Sequence, residues 1–312
     1  LGVERVAPAL ARAGARRFFV ATAEEGADLR RILGPGPDIF VFAGHMEGDA
    51  PLLEAGALVP LLNSPEQFRR DRATRPDGAF GIQIDTGMNR LGMEADEWRR
   101  IRDVATRQGP ALVMSHLASA DEPESPQNAR QLAAFRAMTA GLEARRSLAA
   151  TGGILLGPSY HFDLVRPGIG LYGGRPFAEA EPVVSLTLPV IQTRRVSAGE
   201  AVGYNATWHA DTDRIIATVS AGYADGLIRS LSNRGQLFAD GAPCPIVGRV
   251  SMDLITVDVT DLPAVPDRLE ILGPAQGIDA LADAAGTIGY EILTSLGGRY
   301  ARRYLDASGG GE

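Results

Sequence analysis

Short apolar segments alternate with amphipathic helical segments from residue 1 to about residue 173, and the series begins on a helix, at 3–13. The strand candidates are 18–20, 39–42, 59–62, 81–85, 112–117, 148–151 and 169–172, with helical patterns between most of them. Two helices open on capping signatures, Thr22-Ala-Glu-Glu25 and Ser64-Pro-Glu-Gln67, the second with Pro65 at the first helical position. Gly14 and Gly109 follow helix ends, where a left-handed residue is favoured. Such repetition dictates a parallel sheet, because a helical crossover returns the chain to start the next strand in the same direction. This series of strands would complete an eight-stranded βα barrel if one more strand lay ahead of the first helix. A doubly wound open sheet would need no addition and is the alternative.

The pattern changes near residue 178. From 183 to 273 the chain is rich in β-branched strands, at 183–196, 214–220, 245–250, 254–259 and 268–272, separated by turn residues and little helix. Short helices are expected at 278–285 and 290–296, and a disordered tail at 308–312. Two domains follow, 1–178 and a mostly β domain at 179–312. A formal charge of −7 argues against nucleic acid as the main partner, since phosphate backbones demand a net basic face. The single cysteine, Cys244, excludes an intrachain disulfide, so no oxidising compartment is needed for stability. No apolar run approaches the ~20 residues that span a bilayer. The first 13 residues mix charged with apolar side chains and do not read as a signal peptide.

Several segments carry polar groups at strand ends. Asp85-Thr-Gly-Met-Asn-Arg-Leu-Gly92 follows the strand at 81–85, where barrel active sites form, and Arg90 can grip a carboxylate or phenolate in a bidentate manner. Taken alone, it reads equally well as a βα turn with a solvated arginine. Ser115-His-Leu-Ala-Ser-Ala-Asp121 puts His116 at the same end, although a lone strand histidine is more often a structural group. Arg166-Pro-Gly-Ile-Gly-Leu-Tyr-Gly173 and Leu148-Ala-Ala-Thr-Gly-Gly153 lead into and out of the last strands, where barrels frequently bind phosphate; ordinary turns are the plainer reading. Ala221-Gly-Tyr-Ala-Asp-Gly226 and Gly248-Arg-Val-Ser-Met-Asp253 are strand-and-turn elements of the second domain. Tyr223 there is either exposed by its turn or packed as most tyrosines are.

In this order, DTGMNRLG at 85–92, SHLASAD at 115–121, HFDLVRPGIGLYG at 161–173, SAGYADG at 220–226, GRVSMD at 248–253 and GYEI at 289–292 resemble the alanine racemase family of fold-type III pyridoxal-phosphate (PLP) enzymes, over residues 1 to about 305. The resemblance implies a (β/α)8 TIM-type barrel followed by a mostly β C-terminal domain, and a cytoplasmic head-to-tail homodimer with shared active sites. It implies PLP as cofactor, a small amino acid as substrate, and no nucleic-acid, membrane or metal partner. The reaction implied is interconversion of L-alanine and D-alanine by a two-base proton exchange at Cα, supplying D-alanine for peptidoglycan. In the family the cofactor is held as a Schiff base by a lysine at the end of the first barrel strand. This chain contains no lysine: all 31 of its Lys+Arg residues are arginine. The expectation is therefore a barrel lacking its first strand, with about 40 residues of a family member, the lysine among them, preceding residue 1.

The resemblance also assigns roles. Tyr223, donated across the dimer, would be the second base; a tyrosine ordinarily titrates near ~10, so a basic tyrosine needs help from charge or hydrogen bonds. His116 would bond Tyr223 and contact Arg166, and Arg166 would face the pyridine nitrogen and keep it unprotonated. Arg90 would hold the PLP phenolic oxygen and the substrate carboxylate, which the Met252 amide would also bind. Thr151, Gly168, Ile169 and Tyr290 would hold the phosphate.

Two positions depart from the family pattern. Gln83 stands where many members have a carbamylated lysine, and Ala150-Thr151 stands where an Asn-Ser pair is common. Alternatives are a non-catalytic PLP or amino-acid binding scaffold, a racemase of serine or a basic amino acid, and a barrel hydrolase using Asp85 and His116, the last disfavoured by the appended β domain.

The lysine count generates a first prediction. The 312-residue polypeptide, incubated with PLP and treated with borohydride, is expected to carry no stoichiometric internal adduct. Peptide mapping that finds a single fully labelled site would contradict it.

Overall fold

In the computed structural model, residues 1–305 are described, and the tail expected to be disordered at 308–312 lies outside them. The chain divides into two units, Leu1–Gly168 and Ile169–Glu312. Unit 1 runs α1 (Val3–Arg12), β1 (Arg17–Val20), α2 (Ala23–Leu33), β2 (Asp38–Val41), α3 (Ala50–Ala55), β3 (Val59–Leu62), α4 (Pro65–Thr74), β4 (Gly81–Gln83), α5 (Ala95–Arg107), β5 (Leu112–Met114), α6 (Pro126–Met138), β6 (Arg146–Ser147) and α7 (Thr151–Leu155). The six strands form one parallel sheet in sequence order, a half-barrel in which β1 pairs with β2 alone.

Local chemistry sets the helix ends. Ser64 Oγ accepts from the Gln67 amide at 3.2 Å, while Gln67 Oε1 reaches back to the Asn63 amide at 2.9 Å. Thr22 and Glu25 form the same pair, with Glu25 Oε2 returning to the Ala21 amide. In both the return bond lands one residue outside the N-cap, and such caps contribute about 1 kcal/mol each. Gly14 and Gly109 have φ of 107° and 67°, as their positions after helices require.

Strand alternation separates two apolar layers. Ile39, Val41, Ile82 and Val113 pack towards the helices. Phe40, Leu61, Leu112 and Met114 form a separate cluster joined by Phe19, Phe42 and Leu164. The rings of Phe40 and Phe42 stack on Phe19 at 4.9 and 5.5 Å. Gln83 and Gly81 share the parity of this second face by the period of two, and a Cβ at Gly81 would meet Leu61 Cδ2 at 2.8 Å.

The last two strands of the expected series need correction. Pairing at 148–151 is displaced to β6, and Thr151 already starts a helix. The segment expected as a strand at 169–172 is a 3-10 turn, Ile169–Tyr172. Pro167 has no amide to donate, and the Ile169 amide goes to the Tyr290 hydroxyl at 3.0 Å instead of to a ladder. What remains of a seventh pairing is a single parallel bridge, Ala150 to Arg166, with the Arg166 amide bonded to Ala149 O at 2.9 Å.

Unit 2 contains β7 (Leu186–Val196), β8 (Ala201–Val202), β9 (Trp208–His209), β10 (Arg214–Val219), β11 (Gln236–Ala239), β12 (Ala242–Pro245), β13 (Ile255–Asp258), β14 (Arg268–Leu272), α8 (Ile278–Ala285) and α9 (Gly289–Ser295). Six strands pair antiparallel in the order β12-β11-β14-β7-β10-β13, and β8 and β9 pair separately. The expected strand at 245–250 is mostly a turn. Pro245 ends β12 opposite Gln236 and Ile246 bridges to Val257, but the strand stops there, because Gly248 takes φ 76° and a Cβ on it would meet Val202 O at 2.6 Å. No helix among the described residues is long and apolar enough to cross a membrane.

One charge cluster ties α4 to its surroundings. Asp71 is fully buried and accepts from Arg75 Nη1 at 2.8 Å; its Oδ1 also lies 2.8 Å from His45 Nδ1, and Arg72 bonds its other oxygen. Arg72 and Arg75 continue to the carbonyls of Gly78 and Leu58. Asp71→Asn would leave a buried guanidinium without its counter-charge. It is expected to lower unfolding stability by about 3–5 kcal/mol in denaturant titration, whereas Glu66→Gln, in the exposed and solvent-screened pair with Arg69, is expected to leave the unfolding midpoint nearly unchanged.

Candidate active site

Strand ends of unit 1 deliver the polar groups. After β4, the chain loops out and returns so that Met93 donates to Gln83 O at 2.9 Å and accepts from the Asp85 amide at 2.8 Å. Asp85 closes the near side of this loop by accepting from the amides of Gly87 and Met88 at 2.7 and 2.9 Å. Gly92 closes the far side at φ 111°; a Cβ there would meet Ile84 C at 2.8 Å. Asp85 is thus a turn-forming carboxylate, occupied by backbone donors. Arg90 is exposed on the loop. Gln83, 5% exposed, donates to Leu91 O at 3.3 Å, and its Oε1 has no partner among the described residues.

Arg166 is the electrostatic centre. It is 8% exposed, and its guanidinium donates to Ser147 Oγ at 2.5 Å, Ser115 O at 2.9 Å and Leu148 O at 3.3 Å, with His116 Nδ1 at 3.1 Å. All of these partners are neutral acceptors. Burial pushes its pKa down to about 10, and it stays cationic at neutral pH. The same environment acts on His116: burial first, then the charges of Arg166 and Arg90, bring its pKa down to about 4. At neutral pH the imidazole is therefore uncharged. A guanidinium can only donate, so Nδ1 is the acceptor and Nε2 carries the hydrogen. The ring presents one N–H donor, aimed by Arg166.

The groups assigned to phosphate meet in pairs. Within unit 1, the Gly168 amide donates to Thr151 Oγ1 at 2.9 Å, so the hydroxyl retained at the Ala150-Thr151 departure is in use. In unit 2, the next amide along the chain, Ile169, donates to the Tyr290 hydroxyl at 3.0 Å.

Tyr223 and Met252 lie in unit 2, on adjoining turns. The amides of Tyr223 and Ala224 donate to the carbonyls of Ser251 and Met252, both at 3.0 Å. Buried Asp225 accepts from the Gly222 amide at 2.9 Å and takes a bidentate pair from Arg299, Nε and Nη2, at 2.7 and 2.8 Å. Arg299 also reaches Asp253 at 2.7 Å. Gly222 and Gly226 have no room for a side chain; a Cβ would lie 2.3 Å from Met252 O and 1.9 Å from Ser295 O respectively. The backbone is thus locked while the side chains of Tyr223 and Met252 project, 43% and 54% exposed.

The structure brings Arg90, His116 and Arg166 into one charge-coupled group, and Tyr223 and Met252 into another. Sequence reading missed the hydroxyls of Ser115 and Ser147, the amide side chains of Gln127 and Gln131, and the Asp225–Arg299 pair. For Gln131 a signal existed: it lies four residues before Phe135, on the apolar face of a helix, and both are fully buried.

Residues 1–176 match the family described as alanine racemase, N-terminal domain, and residues 183–304 match alanine racemase, C-terminal domain. The chain is 64% identical to an alanine racemase of Cereibacter sphaeroides over 304 residues, 97% of this chain and 87% of that protein. It is 63% identical to one from Dinoroseobacter shibae over the same shares. Among solved structures, alanine racemase from Bartonella henselae with covalently bound pyridoxal phosphate aligns with TM-score 0.93 and 38% identity, covering 98% of this chain and 89% of that one. Biosynthetic alanine racemase from Pseudomonas aeruginosa aligns with TM-score 0.90 and 35% identity, again over 98% of this chain and 89% of that one.

The His116 shift generates a pH prediction. Its folded pKa lies below the ordinary value of 6.5, so between about 4 and 6.5 the unfolded chain binds the extra proton. Stability from this group is complete above pH 6.5 and is lost as pH falls towards 4, by as much as ~3 kcal/mol. His116→Gln is expected to flatten the acid limb of the stability curve over that window; an unchanged limb would show that His116 does not titrate this way.

Proposed function

The chain belongs to the alanine racemase family, and from that premise we propose how its residues divide the work. Its function is the racemisation of alanine, an isomerase reaction, and its cofactor is pyridoxal 5′-phosphate. The observation that carries the residue assignment is the buried Arg166 guanidinium, which has only neutral acceptors around it. A buried cation without a carboxylate is costly to keep, and it suits an electron-rich ring nitrogen that must stay unprotonated. The amides of Gly168 and Ile169, with the hydroxyls of Thr151 and Tyr290, are donors suited to a phosphate. Arg166, Thr151, Gly168 and Ile169 fit non-covalent contacts of the cofactor within a cofactor-binding domain at 1–178. The amine for a covalent link is not among the 312 residues.

When bound, PLP supplies an electron sink that acidifies the Cα–H of the amino acid. The chain's own residues do the rest. Arg90 holds the substrate carboxylate and the cofactor's phenolic oxygen, with Gln83 beneath its loop as a neutral amide. The Met252 amide binds the same carboxylate. Tyr223 of the partner subunit gives and takes the Cα proton at its Oη, on one face of the substrate. His116, held neutral, donates its Nε2–H to that oxygen and stabilises it when it has lost its proton. The exposure of Tyr223, Met252 and Leu254 on a locked backbone supports a homodimer in which a second copy covers this face. A cytoplasmic location belongs to the same reading, supported by the single cysteine.

The test uses Tyr223→Phe in a cofactor-loaded dimer supplied with the family's lysine-bearing segment ahead of residue 1. Cα deuterium uptake from D2O is expected to fall ~10²-fold or more for one alanine enantiomer while PLP binding stays intact, because a base is lost and not a cofactor contact. Near-normal racemisation would remove Tyr223 from the reaction.

A further inference from the structure

Helix α6 follows the His116 loop and turns side-chain amides towards two active-site loops. Gln131 is fully buried. Its Oε1 accepts from the Ala118 amide at 2.8 Å, and its Nε2 donates to His116 O at 2.8 Å and to Thr86 Oγ1 at 3.2 Å. Thr86 Oγ1 in turn lies 2.9 Å from Ser115 Oγ. One helical turn earlier, Gln127 Nε2 donates to Gly87 O at 2.7 Å. Gly87 has φ 124°, and a Cβ on it would stand 3.1 Å from Gln127 Nε2. Between these two glutamines, Asn128 bonds the carbonyls of Ser119 and Glu122, both at 3.0 Å.

These bonds have a common geometry. Thr86 and Gly87 belong to the loop after β4 that carries Arg90, and residues 115–122 belong to the loop after β5 that carries His116. Strands β4 and β5 pair up to Gln83 and Met114, with a last backbone bond from the Ile84 amide to Met114 O at 2.9 Å. Past that point the Thr86–Ser115 hydroxyl bond joins the loops directly, and side chains of α6 bridge them. An apolar residue would fill the volume of Gln131 at no polar cost, since a buried amide costs about 1–3 kcal/mol when unpaired. Here both ends of the amide are satisfied, and by atoms of two different loops. The His116 residue is consequently held twice, at its carbonyl by Gln131 and at its ring by Arg166.

We propose that Gln131 and Gln127 are positioning residues for the racemase reaction, which fix the Arg90 loop and the His116 loop in one register. This rests on the functional reading above for its purpose, but its geometry is testable without turnover. The chain has four histidines, His45, His116, His161 and His209, so each imidazole can be followed by NMR. In folded Gln131→Met, loosening of the loop hydrates His116 and moves it away from Arg166 and Arg90. Its titration midpoint is expected to rise by about one unit, a tenfold gain in proton affinity. In Gln127→Ala, at a part-exposed position that tolerates truncation, amide exchange across 86–90 is expected to accelerate ~10-fold while the global unfolding midpoint stays unchanged.

A plain packing role for α6 would lower stability without moving His116. An unmoved His116 titration in folded Gln131→Met overturns the proposal. So does unchanged exchange across 86–90 in Gln127→Ala, which decides the matter should Gln131→Met fail to fold. A failure of Tyr223→Phe to impair racemisation would leave both measurements standing, so the two readings fail separately.

Discussion

A buried guanidinium with no anionic partner among the described residues organises the polar strand ends of the first unit. Arg166 is held by Ser147, Ser115, Leu148 and His116, which come from β6, from the loop after β5 and from the residue just past β6. Each is a neutral acceptor, so the positive charge is solvated by protein dipoles and remains uncompensated. Burial first, and then the charges of Arg166 and Arg90, keep His116 neutral, while its tautomer and the direction of its free N–H follow from the bond to Arg166. Phe19 adds its ring face 5.9 Å from the guanidinium, joining the site to the apolar cluster below it. A lysine in place of Arg166 could not make these divergent bonds, because an ammonium is a point donor without a planar fork.

The second unit meets a different constraint, presentation of an exposed side chain on a fixed backbone. Asp225 is satisfied by the Gly222 amide and by two guanidinium nitrogens of Arg299, and those bonds raise the Arg299 pKa further above its ordinary value, Asp225 first and Asp253 second. Turn 220–226, turn 248–253 and the segment after α9 are thereby one interlocked piece, in which glycines at 222 and 226 permit backbone-to-backbone approach. For the role proposed for Tyr223 the rigidity would matter, because a base that exchanges a proton must sit within hydrogen-bond reach of a defined carbon, and a freely rotating loop would lose most of that orientation.

All the long basic side chains here are arginine, and the structure uses their planarity repeatedly. Arg75 and Arg72 tie buried Asp71 to backbone carbonyls, Arg72 stacks on Phe80 at 4.4 Å, and Arg299 forks onto Asp225. Arginine suits such buried and stacked pairs because it is weakly hydrated and pre-organised. Lysine chemistry at PLP is a separate requirement, an amine able to form and exchange a covalent bond, and no arginine meets it.

Much of this was legible in the sequence because it depends on local periodicity. The alternation from 1 to 147, the caps at Ser64 and Thr22, the glycine stops at 14 and 109, and the strands at 59–62 and 268–272 follow from pattern and turn chemistry alone. So did the order of motifs that named the family. Expectations failed where a residue's fate depended on partners distant in sequence. Residues 169–172 read as a strand by apolar content, yet the Ile169 amide is taken by Tyr290 and the segment turns. Residues 245–250 read as a strand until Gly248 had to clear Val202 O. Gln131 shares the apolar helix face with Phe135 by its spacing, but only the tertiary fold sets its amide between two loops from different strands. The sequence by itself determined element type and the chemical inventory, since side-chain period and donor type are local properties. Tertiary structure alone decided which charges go unpaired, which hydroxyls and amides meet them, and therefore that His116 is neutral, because burial and proximity arise only when distant segments pack.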